Sequence, residues 1–352
     1  MRRIPREPIP QVGALLDLDT GFTLPKESFR KGCKYWQLNG SCILVAPRKI
    51  LTVSHVLEKN SPMAAFFPYA GLFKLTSDSL FEKFRDEKER PTNGWDGDRL
   101  VLVDLDESVK SIVPLKWRTI SKPKKGHKQI ICGFGTWPDM SFSYGESDQT
   151  IEGYALEGVQ NRQEVVLTNR PDTLDLGWNS SENDELVAGF GNSGGAVLKH
   201  DVASAVNREL KEDLNISSWI SDDRKKFLAK ECGTGPWKGK HKTHLVDELF
   251  SIDEAGTAWS IDVPKGARKV QATLSSGRGM RLQMCISQGS DLNAAEELET
   301  TRAKAKFAGR FLYREESLEE GAEEVLITIA PYIRAWRYQV PVLAQVCVLF
   351  TL

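Results

Sequence analysis

The sequence predicts an all-β chain in two parts, on three observations. Short runs rich in Val, Ile, Leu and Thr recur through roughly the first two hundred residues, separated by Gly- and Pro-containing turns. A stretch rich in Gly, Pro and Lys, Gly233-Thr234-Gly235-Pro236-Trp237-Lys238-Gly239-Lys240-His241-Lys242-Thr243-His244, then reads as a linker. Beyond it short strands and turns resume, the pattern of a β-sandwich. At 352 residues the chain has room for two or three domains and ample core.

Taken in order, strands are expected near Cys42 to Ala46 and Lys49 to Ser54, joined by a Pro47-Arg48-Lys49 turn, and near Leu100 to Leu105. Between them Phe81 to Arg90 is a dense mixed-charge run ended by Pro91, Thr92, Asn93 and Gly94, which reads as a solvated loop or short helix. The basic cluster Lys122-Pro123-Lys124-Lys125-Gly126-His127-Lys128 lacks interleaved aromatics, so a solvated hairpin is favoured over phosphate binding. Strands follow near Gln129 to Gly135, Thr150 to Leu156, Glu164 to Thr168 and Gly195 to Lys199. Val202 to Asn207 reads either as a strand or as the start of a helix through Leu210 and Leu214. Asn215 to Cys232 places Trp219, Ile220, Phe227 and Leu228 at roughly helical spacing, so a short amphipathic helix is expected there. In the last hundred residues strands are expected around Trp259 to Val263, Val270 to Leu274, Met280 to Ile286, Arg310 to Tyr313, Val325 to Ile329 and Tyr338 to Phe350. Asp291 to Lys306 reads as a helical crossing, and Glu315 to Glu324 as an acidic, solvated loop.

Chemistry is concentrated in Gly189-Phe190-Gly191-Asn192-Ser193-Gly194-Gly195-Ala196-Val197-Leu198, a serine among glycines running into an apolar strand. A serine that attacks a carbonyl needs backbone N–H groups turned towards the developing oxyanion, and a turn free of Cβ atoms lets substrate reach them. The N–H groups of Gly191 and Ser193 would form that oxyanion hole. A base is available in His55, at the end of Leu51-Thr52-Val53-Ser54-His55. An orienting carboxylate is available in Asp98, at the mouth of the strand Leu100-Val101-Leu102-Val103-Asp104-Leu105. Asp96, Asp104 and Asp106 compete for the same role, but Asp104 and Asp106 lie far along the strand from its mouth.

These runs resemble the chymotrypsin-like (trypsin-like) serine peptidases, and the bacterial, high-temperature-requirement type more than the secreted digestive type. The likeness rests on Leu51-Thr52-Val53-Ser54-His55, Asp98-Arg99-Leu100-Val101-Leu102, Gly191-Asn192-Ser193-Gly194-Gly195 and Gln129-Ile130-Ile131-Cys132-Gly133-Phe134-Gly135. It covers roughly the first 210 residues and implies two β-barrels, from Trp36 to about Val113 and from Gln129 to about Asn207. It implies the catalytic set His55, Asp98 and Ser193, and a protein or peptide substrate. The domains expected are 1–231 for the two barrels with a short helical extension, 232–250 for a linker, and 251–352 for the sandwich, which loosely resembles the pre-peptidase C-terminal type. Two departures bear on activation: Val56 follows His55 where secreted members have a disulfide-forming cysteine, and Asn192 precedes the nucleophile where members activated by trimming have an aspartate. Neither a disulfide from Cys42 to that position nor activation by a new N-terminus is expected. The resemblance puts Val187 at the floor of the pocket for the residue before the scissile bond, with Ala188 and Phe190 near its wall. Valine offers no counter-charge to Arg or Lys, and Glu185 is the residue that a shifted loop would bring there.

Composition narrows the setting. A net charge of −1 gives no electrostatic ground for nucleic-acid or anionic-membrane partners. Met1-Arg2-Arg3-Ile4-Pro5-Arg6-Glu7-Pro8 is followed by no apolar stretch of signal-peptide length, so a cytoplasmic enzyme is expected. Six cysteines, Cys33, Cys42, Cys132, Cys232, Cys285 and Cys347, are sparse and lie mostly in apolar runs, as reduced buried thiols do. His241 and His244 near Cys232 lack the paired spacing of a zinc site, and acyl transfer needs neither metal nor cofactor, so none is expected. A cytoplasmic peptidase must avoid indiscriminate cleavage, which favours a narrow target or control by a regulatory protein through the C-terminal domain, a setting compatible with stress or defence signalling. A catalytically silent scaffold on the same fold, or a small-ester hydrolase using the same machinery, are the alternatives.

Overall fold

The computed structural model describes residues 8–18, 36–57, 63–76, 100–117, 125–136, 141–144, 149–152, 157–169, 175–180, 191–199, 202–211, 214–220, 222–233, 245–252, 256–277, 281–289, 292–304, 309–332 and 342–352. Its first sheet holds β1 (Val12–Leu18), β2 (Trp36–Ala46), β3 (Lys49–Val53), β4 (Met63–Phe67), β5 (Gly71–Lys74) and β6 (Leu100–Asp104), in the order β5-β4-β1-β2-β3-β6. Its two edges meet at a Leu75–Leu105 bridge, where the Thr76 N–H donates to the Asp104 carbonyl (3.0 Å) and the Asp106 N–H to the Lys74 carbonyl (2.9 Å). The sheet thus curls into a barrel, which leaves no open edge to template aggregation.

A second barrel is closed outright. After β7 (Lys128–Gly133), the strands β8 (Ser141–Tyr144) and β9 (Gln149–Glu152) form a separate hairpin. The barrel continues through β10 (Asn161–Asn169), β11 (Asp175–Ser180), β12 (Ala196–Lys199), β13 (Val202–Lys211) and β14 (Leu214–Trp219), in the order β10-β11-β14-β13-β12-β7. Helix α1 (Asp222–Cys232) follows, and its Leu228 and Cys232, one turn apart on the same face, are buried in the core that runs through the barrels.

The C-terminal part is a β-sandwich. Its strands are β15 (Leu245–Ile252), β16 (Thr257–Asp262), β17 (Lys269–Ser276), β18 (Leu282–Gln288), β19 (Phe311–Ser317), β20 (Glu324–Pro331) and β21 (Val342–Thr351). One sheet is ordered β15-β21-β17-β19 and the other β16-β20-β18. Between them Val270, Leu274, Leu282, Met284, Leu312, Val325, Ile327, Val346, Val348 and Phe350 form one apolar core. Helix α2 (Ala294–Lys304) lies on the smaller sheet, with Thr301 hydrogen-bonded to Thr328 (2.5 Å).

The expected fold class, two barrels followed by a β-sandwich, is the one observed. Several elements differ in detail. The first barrel starts at β1, well before Trp36, and also contains β4 and β5, which were not anticipated. Val202 to Asn207 belongs to a strand that continues to Lys211, which excludes the helical alternative. The stretch expected as one helix over Asn215 to Cys232 is instead the barrel strand β14 and then α1, because Ile216 and Ser217 pair with Gly177 and Leu176 of β11. The expected linker overlaps β15, whose residues pair along the whole of β21 from Leu245–Leu349 to Ile252–Val342. Glu315, Glu316 and Ser317 end β19 and are not loop. The Phe81 to Arg90 run and His241 and His244 lie outside the described residues.

Candidate active site

Strand β3 ends in a 3-10 turn, Ser54–Val56, closed by the Leu57 N–H on the Ser54 carbonyl (3.1 Å). His55 stands exposed on this turn, while Val56 beside it is buried. The antiparallel register pairs Val53 with Leu100 and Thr52 with Val101. The described backbone therefore brings Leu100, two residues after Asp98 in the sequence, beside Val53, two residues before His55. Asp98 itself, like Asp96, lies outside the described residues. Asp104 is at the opposite end of that pair, opposite Lys49, and is bound to the Lys49 ammonium (2.6 Å). It therefore serves the strand pair and not His55.

Ser193 is half-buried on the turn that leads into β12. Two of its glycines have left-handed backbone, Gly191 (φ 85°) and Gly194 (φ 86°), a conformation that side chains strain. Gly194 is needed for space as well: a Cβ there would collide with the Ser41 carbonyl oxygen and with Thr52 Oγ1. That close approach is what joins the barrels at the site. The Ser41 N–H donates to the Ser193 carbonyl (2.7 Å), and the Thr52 hydroxyl donates to the Ser41 carbonyl (2.8 Å). Gly40 meets both the His55 turn and the Ser193 turn, since a Cβ on it would lie 2.6 Å from Val56 Cγ1 and 2.9 Å from the Ser193 carbonyl oxygen.

Within the turn the Gly195 N–H donates to the Asn192 carbonyl (2.9 Å), and the Gly194 N–H to the Asn207 carbonyl of β13 (2.7 Å). The Asn207 N–H returns a bond to the Gly195 carbonyl (2.8 Å), and Asn207 Nδ2 donates to the Asn192 carbonyl (3.2 Å). Among the described residues the N–H groups of Gly191 and Ser193 are given to no backbone carbonyl. Asn192 is fully buried; its Oδ1 accepts the Gly135 N–H (2.9 Å) and its Nδ2 donates to the Thr136 carbonyl (2.6 Å). The Ser41 hydroxyl donates to the Gly191 carbonyl (2.8 Å) and accepts the Phe134 N–H (3.0 Å).

Sequence reasoning singled out Ser193, Gly191 and His55, did not anticipate Ser41, Thr52 and Asn207 around the Ser193 turn, and saw in Asn192 only the lack of a charge. The one available signal was polar character inside apolar runs, Ser41 and Thr52 each standing one residue from a strand's hydrophobic positions. Val187, Ala188, Phe190 and Glu185, the residues assigned to the substrate pocket, lie outside the described residues. The described cysteines, Cys42, Cys132, Cys232, Cys285 and Cys347, are free thiols; Cys33 is outside the described residues. Burial pushes the Cys132 thiol up to about 12 against a smaller opposing pull from Arg162, and burial raises Cys42 further still.

No protein-family model matches the chain, and no curated protein matches it. Solved structures similar to it include neuropsin, a serine protease of mouse brain, at 16% identity and a TM-score of 0.41, over 63% of this chain and 94% of that one. Human heparin binding protein is similar at 12% identity and a TM-score of 0.43, over 68% of this chain and 98% of that one. Kallikrein-related peptidase 10 is similar at 11% identity and a TM-score of 0.43, over 66% of this chain and all of that one.

Proposed function

We propose that the chain is a cytoplasmic serine endopeptidase that hydrolyses peptide bonds by acyl transfer through Ser193. The observation that carries this reading is the seating of two turns on one strand: Ser193 on Ser41 and Gly40, and the His55 turn on Gly40 through Val56. A nucleophile and a base that must exchange a proton need such a common support.

In this reading Ser193 Oγ attacks the scissile carbonyl carbon while His55 takes the hydroxyl proton. The carbonyl oxygen, now negative, is met by the N–H groups of Gly191 and Ser193. His55 then gives its proton to the leaving amine, the C–N bond breaks, and an acyl ester remains on Ser193. Water, losing a proton to His55, attacks that ester; the acid product leaves and His55 returns the proton to Ser193 Oγ. Asp98 is assigned to hold the imidazole in the required tautomer. The fixed left-handed backbone at Gly191 and Gly194, with Asn192 clamped by uncharged partners, supports a turn that needs no new N-terminal amine to order it.

Val187 at the pocket floor makes an apolar residue before the scissile bond the proposed preference, and a peptide library depleted of Arg and Lys at that position is the expected result. Predominant cleavage after Arg or Lys would shift the assignment to Glu185. The central experiment is labelling of the full-length chain by a fluorophosphonate serine probe. Wild type should be modified at Ser193, and Ser193→Ala and His55→Ala should not. Absence of labelling in the wild type favours a silent scaffold, and ester turnover without peptide turnover favours a small-ester hydrolase; either result overturns the endopeptidase reading.

A further inference from the structure

The sandwich is built into the barrels at the point where they meet. Phe311, the first residue of β19, is fully buried against Phe66 of the first barrel (ring centroids 5.2 Å) and Phe134, next after β7 of the second (6.5 Å). Phe66 and Phe134 themselves meet edge to face at 6.2 Å. Ala14, Leu16, Ala64 and Leu72 complete this cluster, with Leu38 packed against it.

Polar contacts fix the same junction on either side. The Arg310 guanidinium donates to the Glu157 carbonyl and pairs with the Glu157 carboxylate (3.4 Å), and its Nε donates to the Ser276 carbonyl (3.3 Å). The next residue, Gly158, gives its N–H to the Phe134 carbonyl (2.7 Å). It must be glycine in this arrangement, because its φ is 104° and a Cβ would collide with the Arg310 guanidinium. On the first barrel the Tyr69 N–H donates to Thr273 Oγ1 of β17 (2.9 Å), and Gly71 lies against the Tyr313 ring.

From Phe134 the nucleophile turn is two hydrogen bonds away, through Ser41. The Phe134 N–H is held by the Ser41 hydroxyl that donates to the Gly191 carbonyl, and the adjoining Gly135 N–H is held by Asn192. Leu38 makes a second route, since a Cβ on Gly191 would lie 2.8 Å from Leu38 Cδ2. We propose that Phe311, with Arg310, is a positioning residue for the oxyanion turn: the sandwich wedges the barrel junction and so fixes Phe134 and Leu38, on which the turn is set through Gly191 and Asn192. The inference rests on the reading of Ser193 as nucleophile. It gives the C-terminal domain a supporting part in catalysis, the reverse of a domain whose removal would release activity.

The test compares Phe311→Ala, Phe311→Leu and Ile327→Ala in the full-length chain. Ile327 lies in the sandwich core away from the junction, so its truncation reports loss of stability alone. At a temperature where all three are folded, Phe311→Ala should lower kcat about 10- to 100-fold with KM little changed, less than the full loss of one oxyanion donor. Phe311→Leu should restore most of kcat, and Ile327→Ala should leave it unchanged. Amide hydrogen exchange over residues 191–195 should quicken in Phe311→Ala and not in Ile327→Ala. Should Phe311→Ala not fold, Arg310→Gln, which releases Glu157 without hollowing the core, takes its place, and a several-fold loss of kcat at constant KM is expected. An unchanged kcat in the junction variant, or an equal loss in Ile327→Ala, overturns the inference. If wild-type Ser193 takes no probe, the nucleophile reading fails, and the exchange rates alone decide whether Phe311 sets the turn.

Discussion

The turn of Ser193 is bonded to three other parts of the molecule, whereas the turn of His55 follows directly on its strand and rests on Gly40 of β2 through Val56. Ser193 and its neighbours bond to Ser41 of β2, to Asn207 of β13 and, through Asn192, to the backbone after β7. His55 follows directly on β3, which pairs with β2 and β6. Under the proposed reading, the difference matches two tasks. An imidazole that carries protons between partners has to reorient slightly during a cycle, while an oxyanion hole works by being in place before charge develops. A turn assembled from many remote partners is therefore the more sensitive of the two to distant packing.

The largest expected effect removes the proposed nucleophile. Ser193→Ala should lower kcat on the order of 10⁶-fold, leaving only the catalysis that binding and the oxyanion hole supply. Since Ser193 is only half-buried and its side chain has no described part in the core, thermal unfolding should be nearly unchanged. Peptide cleavage at the wild-type rate by this variant would remove Ser193 from the site altogether.

Next in size is Asn192→Asp, which separates fixed geometry from charge-ordered geometry. The carboxylate would still accept the Gly135 N–H, but its second oxygen would face the Thr136 carbonyl in a fully buried place. A lost donor and an unpaired buried charge should cost about 1–3 kcal/mol or more of stability, and displacement of the turn should lower kcat roughly 10- to 100-fold. The stability deficit should narrow as pH falls, because the protonated carboxyl regains a donor for Thr136. Equal activity and stability at neutral pH would mean that the clamp does not set the turn.

Smaller still is Thr52→Val, at the seam between the two turns. It removes the hydroxyl that donates to the Ser41 carbonyl without changing the side-chain shape. About 1 kcal/mol of stability and a few-fold loss in kcat are expected. If the effect exceeds that of Asn192→Asp, the histidine side of the site is the more finely set, and the comparison between the turns reverses.

How much of this was legible in the sequence follows from how local each signal is. The Ser193 turn could be read because glycines, serine and an apolar strand stand together within ten residues, and His55 because its strand precedes it directly. Strands β1 and β4 could not, and the sandwich is the reason. In β1, Leu15 packs in the barrel core while Ala14 and Leu16 join the Phe311 cluster; in β4, Met63, Ala65 and Phe67 pack in the barrel core and Ala64 and Phe66 join the Phe311 cluster. A strand covered on both faces loses the polar alternation by which half-buried strands are recognised. The overlap of β15 with the expected linker has a different cause, its pairing with β21 about a hundred residues later in the chain. Ser41, Thr52 and Asn207 were missed because their roles arise from three separate strands meeting at one turn.

The smallest expected effect probes how closed the packing behind that turn is. The Cys132 carbonyl lies so near Gly195 that a Cβ there would collide with it, and the thiol, fully buried, is pushed up to about 12 from an ordinary value of 9.0. Between those values the unfolded chain releases this proton and the folded chain keeps it, so stability is full below about pH 9 and is lost as pH rises through about 12. Cys132→Ala removes that loss. At pH 7 it should be slightly less stable than wild type, on the order of 1 kcal/mol for the small cavity. As pH rises above 9 the gap should shrink and then reverse, which denaturant titrations of both proteins would read. In the native state at pH 8, iodoacetamide should modify Cys132 far more slowly than an exposed thiol, because little thiolate is present and no path leads to it. Rapid native alkylation, or a gap that stays constant from pH 7 to 11, would mean that the strand behind Gly195 opens readily. The Ser193 turn would then be no more fixed than the turn of His55.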